Sequence, residues 1–222
     1  MTLPNVSVRS IFAGGRNLAL TLTAAIAGAA MLLIGAIPVS VPAQAQAAAL
    51  TAETEMFIGD PNAKVTVYEY ISMTCPHCAR FHTEQLPAIK KAYVDTGKVK
   101  FVLREFPLDR AAFWGAILAR CSGKDRFFAF IDIMFKRQSA WSSGGDPMQA
   151  LTRLGTLGGV SESQFKACLA DKKLGDGILT TRQTGSKKYE INATPGFVIN
   201  GEKADSVYDL KTFAAVVDPL LR

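Results

Sequence analysis

The feature that most constrains this chain is Cys75-Pro76-His77-Cys78, placed where an apolar strand pattern gives way to a helical one. Lys64 to Ile71 (KVTVYEYI) is rich in β-branched and aromatic residues and predicts a strand. A helical pattern runs from Pro76 to about Tyr93, with Pro87 expected to kink it. Asp95-Thr96-Gly97 is a turn, and Lys98 to Glu105 (KVKFVLRE) predicts a second strand. Strand, helix, strand in this order implies a right-handed crossover and a parallel pair. A helix that begins at Cys75 aims free backbone N–H groups and its positive end at that sulfur. That environment favours the thiolate, the reactive form.

The first fifty residues have the composition of an export leader. Arg9 and Arg16 give a basic start without an acid, and no charged residue stands between Leu18 and Val41. Ala43-Gln44-Ala45, Ala45-Gln46-Ala47 and Ala47-Ala48-Ala49 each offer a small-x-small cleavage pattern. The apolar run is nearly long enough to span a bilayer, so an uncleaved anchor is the alternative to a cleaved signal. Without residues 1–47, 175 residues remain, enough for one domain with a proper core. In that part 23 Lys and Arg oppose 19 Asp and Glu, and the short pairs Lys172-Lys173 and Lys187-Lys188 suit solvated helix faces. Nothing in this balance suggests nucleic acid. All four cysteines follow the leader, an even count that an oxidising compartment allows.

Residues 50–61 are expected to be a loose lead-in. After the second strand the middle of the chain turns helical. Helices are expected over Arg110 to Cys121, Asp125 to Gln138, Pro147 to Leu157, Glu162 to Lys173 and Leu174 to Tyr189. Ser161, three residues before Gln164, resembles a capping box, and Gly175, Gly177 and Gly185 weaken the last of these helices. Phe197 to Asn200 predicts a strand, Asn200-Gly201 a hairpin turn, Lys203 to Ser206 a short partner strand, and Leu210 to Leu221 a closing helix.

The two close cysteines invite thiol–disulfide exchange. A zinc site is the structural alternative, with Cys75, Cys78 and His82 as ligands, but no fourth ligand closes it. His82, with no partner in sequence, is expected to be an ordinary helix residue. Glu69 shares a strand face with Val65, Val67 and Ile71 by the period-two rule. An acid in that apolar row is either a solvated edge exception or a buried group placed to exchange protons with Cys78. Cys121 and Cys168 stand 47 positions apart on separate expected helices; an oxidising compartment favours a bridge, and two free buried thiols are the alternative. Phe113, Trp114, Phe127, Phe128, Phe130 and Phe135 are expected to be mostly core.

With CPHC at the strand-to-helix junction and Thr194-Pro195 before a late strand, the chain resembles the thioredoxin superfamily, and within it the DsbA family of exported disulfide oxidoreductases. The resemblance implies an α/β thioredoxin-like fold with an inserted helical domain. Residues 1–47 would be the signal, 48–107 and 190–222 the thioredoxin-like domain, and 108–189 the helical insertion. It implies Cys75 as the attacking sulfur and Cys78 as the resolving one, with Pro76 and His77 between them and His77 donating a hydrogen bond or charge to Cys75. It implies a cis Pro195 that presents Thr194 to an extended substrate, with the Thr194 hydroxyl near the sulfur. The family has an acid six residues before the first cysteine, the place of Glu69. A dithiol stabilised as its thiolate makes its disulfide a stronger oxidant, and DsbA proteins are themselves the known example. The expected function is a periplasmic thiol–disulfide oxidase acting on newly exported protein thiols and reoxidised by a DsbB-like membrane partner, with no cofactor and no metal. The alternative is an isomerase or reductase kept reduced by another membrane partner. Only about a dozen residues separate the leader from the first expected strand, short for a dimerisation segment, so a monomer is expected.

Overall fold

The computed structural model describes residues 50–222. The leader and its cleavage patterns lie outside the described residues. Five strands form one mixed sheet in the order β1-β3-β2-β4-β5: β1 (Met56–Ile58), β2 (Val65–Ile71), β3 (Val99–Glu105), β4 (Gly196–Ile199) and β5 (Glu202–Ala204). β2 and β3 run parallel, Val65 opposite Val99 and Ile71 opposite Glu105. β1 joins β3, β4 joins β2 and β5 joins β4, all antiparallel. β1 corrects the expectation of a loose lead-in. Three residues are too few to show a period of two, and the segment is a strand because β3 offers it a free edge and the core takes Met56.

The expected long helix after Cys75 is divided. α1 (Pro76–Arg80) passes into a wide π-type turn (Phe81–Gln85), then α2 (Leu86–Ile89) and a second wide turn (Lys90–Val94). Pro87 has no N–H for the carbonyl four residues back, and the Leu86 N–H bonds five residues back, to Phe81. The proline widens the turn before it, where a kink was expected.

Between β3 and β4 lie α3 (Arg110–Cys121), α4 (Phe127–Lys136), α5 (Gln138–Ser142), α6 (Pro147–Leu157), α7 (Glu162–Ala170) and α8 (Lys172–Tyr189). α9 (Leu210–Leu221) closes the chain, with a capping box made by Asp209 and Thr212. Two boundaries differ from expectation. The helix expected to reach Gln138 stops at Lys136 and restarts as α5. The one expected to reach Lys173 stops at Ala170, because the Asp171 carboxylate accepts the Leu174 N–H and caps α8. At Ser161 half of the expected box forms: its hydroxyl accepts the Gln164 N–H, while the Gln164 amide reaches across to the Cys121 carbonyl.

One face of the sheet packs Val65, Val67 and Phe101 against Ile89 of α2 and Phe213 and Val217 of α9. On the other face Tyr70 and Val198 meet Phe106 and Ile191. α8 lies so close to this face that a Cβ on Gly185 would stand 2.5 Å from the Tyr70 ring, and one on Gly177 2.4 Å from the Ala52 Cβ. These glycines are the condition for the helix to approach, at a modest cost in helix propensity. A third cluster fills the helical insertion and extends through Ile71, Met73, Cys75 and Cys78 to the end of β2.

Arg120 joins the insertion to the sheet. Its guanidinium is wholly buried, donating from Nε to Glu105 Oε1 at 2.5 Å and from Nη2 to Oε2 at 3.0 Å. Nη1 donates to the carbonyls of Thr51 at 2.7 Å and Thr54 at 2.8 Å. The next residue, Cys121, is bonded to Cys168 at 2.03 Å and so ties α3 to α7. A loop of that length stabilises by about 4 kcal/mol in the chain-entropy model. Arg120→Met is expected to cost about 3–5 kcal/mol in urea unfolding, since Glu105 is left charged and unpaired in the interior. Changing Glu105 to Leu as well should recover most of the loss; an unaltered midpoint in the single variant would refute this account.

Candidate active site

Cys75 is the N-cap of α1, with extended backbone (φ −75°, ψ 119°), and Pro76 fills the first helical position, where its missing N–H costs nothing. The Cys75 N–H bonds the Ser72 carbonyl at 3.1 Å, closing the turn out of β2. The helical insertion holds this turn from outside. Thr74 Oγ1 donates to Asp109 Oδ2 at 2.6 Å, and Asp109 also caps α3 through the Ala112 N–H. Gln138, at the start of α5, donates its amide to the carbonyls of Met73 and Cys75, both at 2.9 Å. Gln138 carries no local signal in the sequence. Only the capping position of Asp109 ahead of a helical run carried a signal.

Both sulfurs are free thiols, 7% and 0% exposed at Cys75 and Cys78. The Cys75 thiol donates to the Thr194 carbonyl at 3.2 Å, and Thr194-Pro195 is a cis peptide bond. Cys75 is held acidic, lowered to about 5. The leading cause is the hydrogen bond from the Cys78 thiol. Burial opposes it, and the Thr194 side chain and the N–H groups of Cys78 and His77 add to it. The Thr194 hydroxyl is buried with no other partner among the described residues, which leaves it able to donate to the Cys75 thiolate. Cys78 is pushed well above the ordinary thiol range, by burial first, then by its hydrogen bond to Cys75 and the negative charges of Glu69 and Cys75. One sulfur is therefore ionised at neutral pH and the other is not.

The His77 imidazole is exposed, and the residue's contribution to Cys75 is the backbone N–H at the helix start. Glu69 is fully buried, and its Oε2 lies 2.9 Å from Nε2 of His82, itself only 8% exposed. His82 is thus no ordinary helix residue. It lies buried in the wide turn after α1, where Phe135 packs on its ring at 4.6 Å between centroids. Glu69 and His82 are 13 positions apart and on different elements, so no local pattern pairs them. Among the described residues no group of three or more His, Cys, Asp or Glu side chains is arranged to hold a metal.

A thiol lowered in the fold stabilises the reduced protein in full above its unfolded value and loses that contribution as pH falls through the folded value. The window here runs from about 9 down to about 5. The reduced protein should therefore lose unfolding stability relative to the oxidised one across that interval. Ultraviolet thiolate absorbance should show one step near pH 5, absent in Cys75→Ser and moved upward in Thr194→Val. A single step at an ordinary thiol pH would refute the assignment.

A family model described as Thioredoxin matches residues 51–219. A Rickettsia bellii protein named "Putative protein-disulfide oxidoreductase" is 36% identical over 167 residues, covering 75% of this chain; the chain spans 64% of that relative's length. The crystal structure of Wolbachia pipientis alpha-DsbA1 is similar with a TM-score of 0.70 at 32% identity, over 78% of this chain and 93% of that one. BdbD from Bacillus subtilis, at 21% identity, shares the fold with a TM-score of 0.66, over 75% of this chain and 92% of that one. With the family match spanning most of the chain and the alpha-DsbA1 likeness spanning nearly all of that protein, this chain belongs to the DsbA family of the thioredoxin superfamily.

Proposed function

We propose that this protein is an exported thiol–disulfide oxidase that donates a Cys75–Cys78 disulfide to newly secreted proteins. The observation that carries the reading is the acidity of Cys75. Hydrogen bonds that favour its thiolate favour the dithiol form, and a disulfide whose reduced form is stabilised is the stronger oxidant. A thiolate of the substrate attacks the Cys75 sulfur, the Cys75–Cys78 bond breaks, and a mixed disulfide forms while Cys78 leaves and takes a proton. A second substrate thiolate attacks the substrate sulfur of the mixed disulfide, and Cys75 departs as the stabilised thiolate. The substrate has lost two electrons and the protein holds them as a dithiol. Cys75 is the sulfur suited to attack and departure because it alone caps the helix; buried Cys78 is suited to resolve the intermediate.

The export leader supports a periplasmic site of action, and family membership supports reoxidation by a quinone-linked membrane partner of the DsbB type. Thr194, whose carbonyl already accepts from Cys75, is the backbone beside which an extended substrate segment would lie. The protein is proposed to act as a monomer. Among the described residues no helix is long and apolar enough to cross a membrane.

Oxidised protein mixed with a reduced, unfolded disulfide protein should form disulfides in stoichiometric yield. Mixed with a scrambled one, it should restore little activity. Efficient unscrambling with weak net oxidation would reverse the assignment in favour of an isomerase. Cys75→Ser should abolish exchange, and Cys78→Ser should accumulate the mixed disulfide.

A further inference from the structure

Away from the sulfurs, the helical insertion carries an open groove of about 560 Å³ between α4, α5 and α6. Its floor is apolar. Phe130 of α4 and Trp141 of α5 are buried beneath it, Leu154 of α6 is half-buried, and Leu157 at the lip is 84% exposed. The only charged side chains in the lining are Arg126, Arg137 and Arg153, and among the described residues none of the three forms an ion pair. Acids of the same helices are engaged elsewhere: Asp132 pairs with Lys136 at 2.7 Å, and Asp146 caps α6. Arg126 is fixed in place. Its Nε donates to the Ser122 carbonyl at 2.9 Å and its Nη1 to the Gly158 carbonyl at 2.8 Å, while Nη2 makes no hydrogen bond among the described residues. A Cβ on Gly158 would stand 2.3 Å from the Phe130 ring, so the turn after α6 closes on that ring because the residue is glycine. This end of the groove is built before any ligand arrives, which lowers the cost of binding.

The volume falls within the range of small-molecule sites, about 300–1,000 Å³. Apart from the guanidiniums, every lining side chain is hydrocarbon or the Trp141 indole, whose N–H is already given to the Met134 carbonyl at 2.8 Å. A neutral polar group placed here would lose water and gain no partner. An extended peptide would meet the same obstacle at each amide, because the helices around the groove satisfy their backbone groups internally. A hydrocarbon chain that ends in an oxyanion leaves nothing unmatched. The chain covers the apolar floor, and the head takes the planar donors that arginine offers to a carboxylate. The protein's own leader is no match, since its charges, Arg9 and Arg16, are basic. We propose that this groove is a binding site for a single-chain anionic amphiphile, a long-chain carboxylate. Binding is noncovalent, with the alkyl chain along Phe130, Trp141 and Leu154 and the carboxylate on the arginines. The site shares no residue with the Cys75–Cys78 centre and stands independently of the oxidase reading.

The test is titration calorimetry of the protein with laurate below its micelle concentration, which should give one site. Dodecyltrimethylammonium, a chain of the same length with the opposite charge, and acetate, the head alone, should each bind about tenfold more weakly or worse, as expected when a charge-assisted hydrogen bond or the apolar contact is missing. Arg137→Glu combined with Arg153→Glu, both at exposed positions, should weaken laurate by about tenfold or more and leave the Cys75 absorbance step in place. Ala150→Trp, which puts a ring into the groove from α6, should block it. If that variant does not fold, the arginine variant decides alone. No laurate binding, equal binding of the cationic chain, or an unchanged affinity in the arginine variant would overturn the proposal. So would a protein that takes phosphatidylglycerol vesicles, or an acidic Glu-Leu helical peptide, more tightly than laurate, for the groove would then be a docking face for a membrane or a partner chain.

Discussion

A guanidinium without water must find every partner inside the protein, and Arg120 does so with four hydrogen bonds to two segments of chain. That requirement sets the position of α3 against β3 and against the lead-in before β1. The α3 helix in turn fixes Asp109 at its first end and Cys121 at its last. From there the constraint reaches the site: Asp109 holds Thr74, and Gln138 from the same insertion holds the carbonyls on either side of Thr74. The helical insertion is thus a clamp on the turn that presents Cys75. Breaking the buried pair at Arg120 would loosen a catalytic turn to which it makes no direct contact.

What the clamp protects is a difference between two identical side chains three positions apart. Cys75 has the helix start, the Thr194 segment and the Cys78 thiol to share a negative charge. Cys78 has burial and the Glu69 carboxylate against it. The hydrogen bond between the two sulfurs acts on both, lowering one and raising the other, so the asymmetry is a property of the pair. Direction of electron flow follows from it: a thiolate that is comfortable leaving makes the disulfide easy to give away.

Much of this was legible in the sequence because it is local. CPHC at the strand end, the alternation of β2 and the Ser161 cap before α7 depend on neighbours within four residues. The parts that were not legible depend on distance. Arg120 carries no local sign of its partner, since Glu105 lies 15 positions back on β3 and meets it only when α3 packs against the sheet. His82 has no local partner; the group it meets is Glu69, 13 positions back on β2. The glycines of α8 counted against a helix until Tyr70 and Ala52 showed what they make room for. At His77, second residue of α1, the backbone N–H bears on the Cys75 sulfur and the imidazole is exposed.

Two buried acid–base pairs in one small fold make a comparison that argues for function. At Glu105 both carboxylate oxygens are paired and the guanidinium makes two further bonds to carbonyls. At Glu69 one oxygen is paired with His82 and the other has no partner among the described residues. The arginine also cannot give up its proton, whereas a histidine can at physiological pH. The satisfied, proton-fixed pair sits where the insertion must stay put. The pair at Glu69 sits beside Cys78, where the Glu69 charge raises that thiol, so one buried carboxylate holds the insertion in place and the other bears on the exchanging pair.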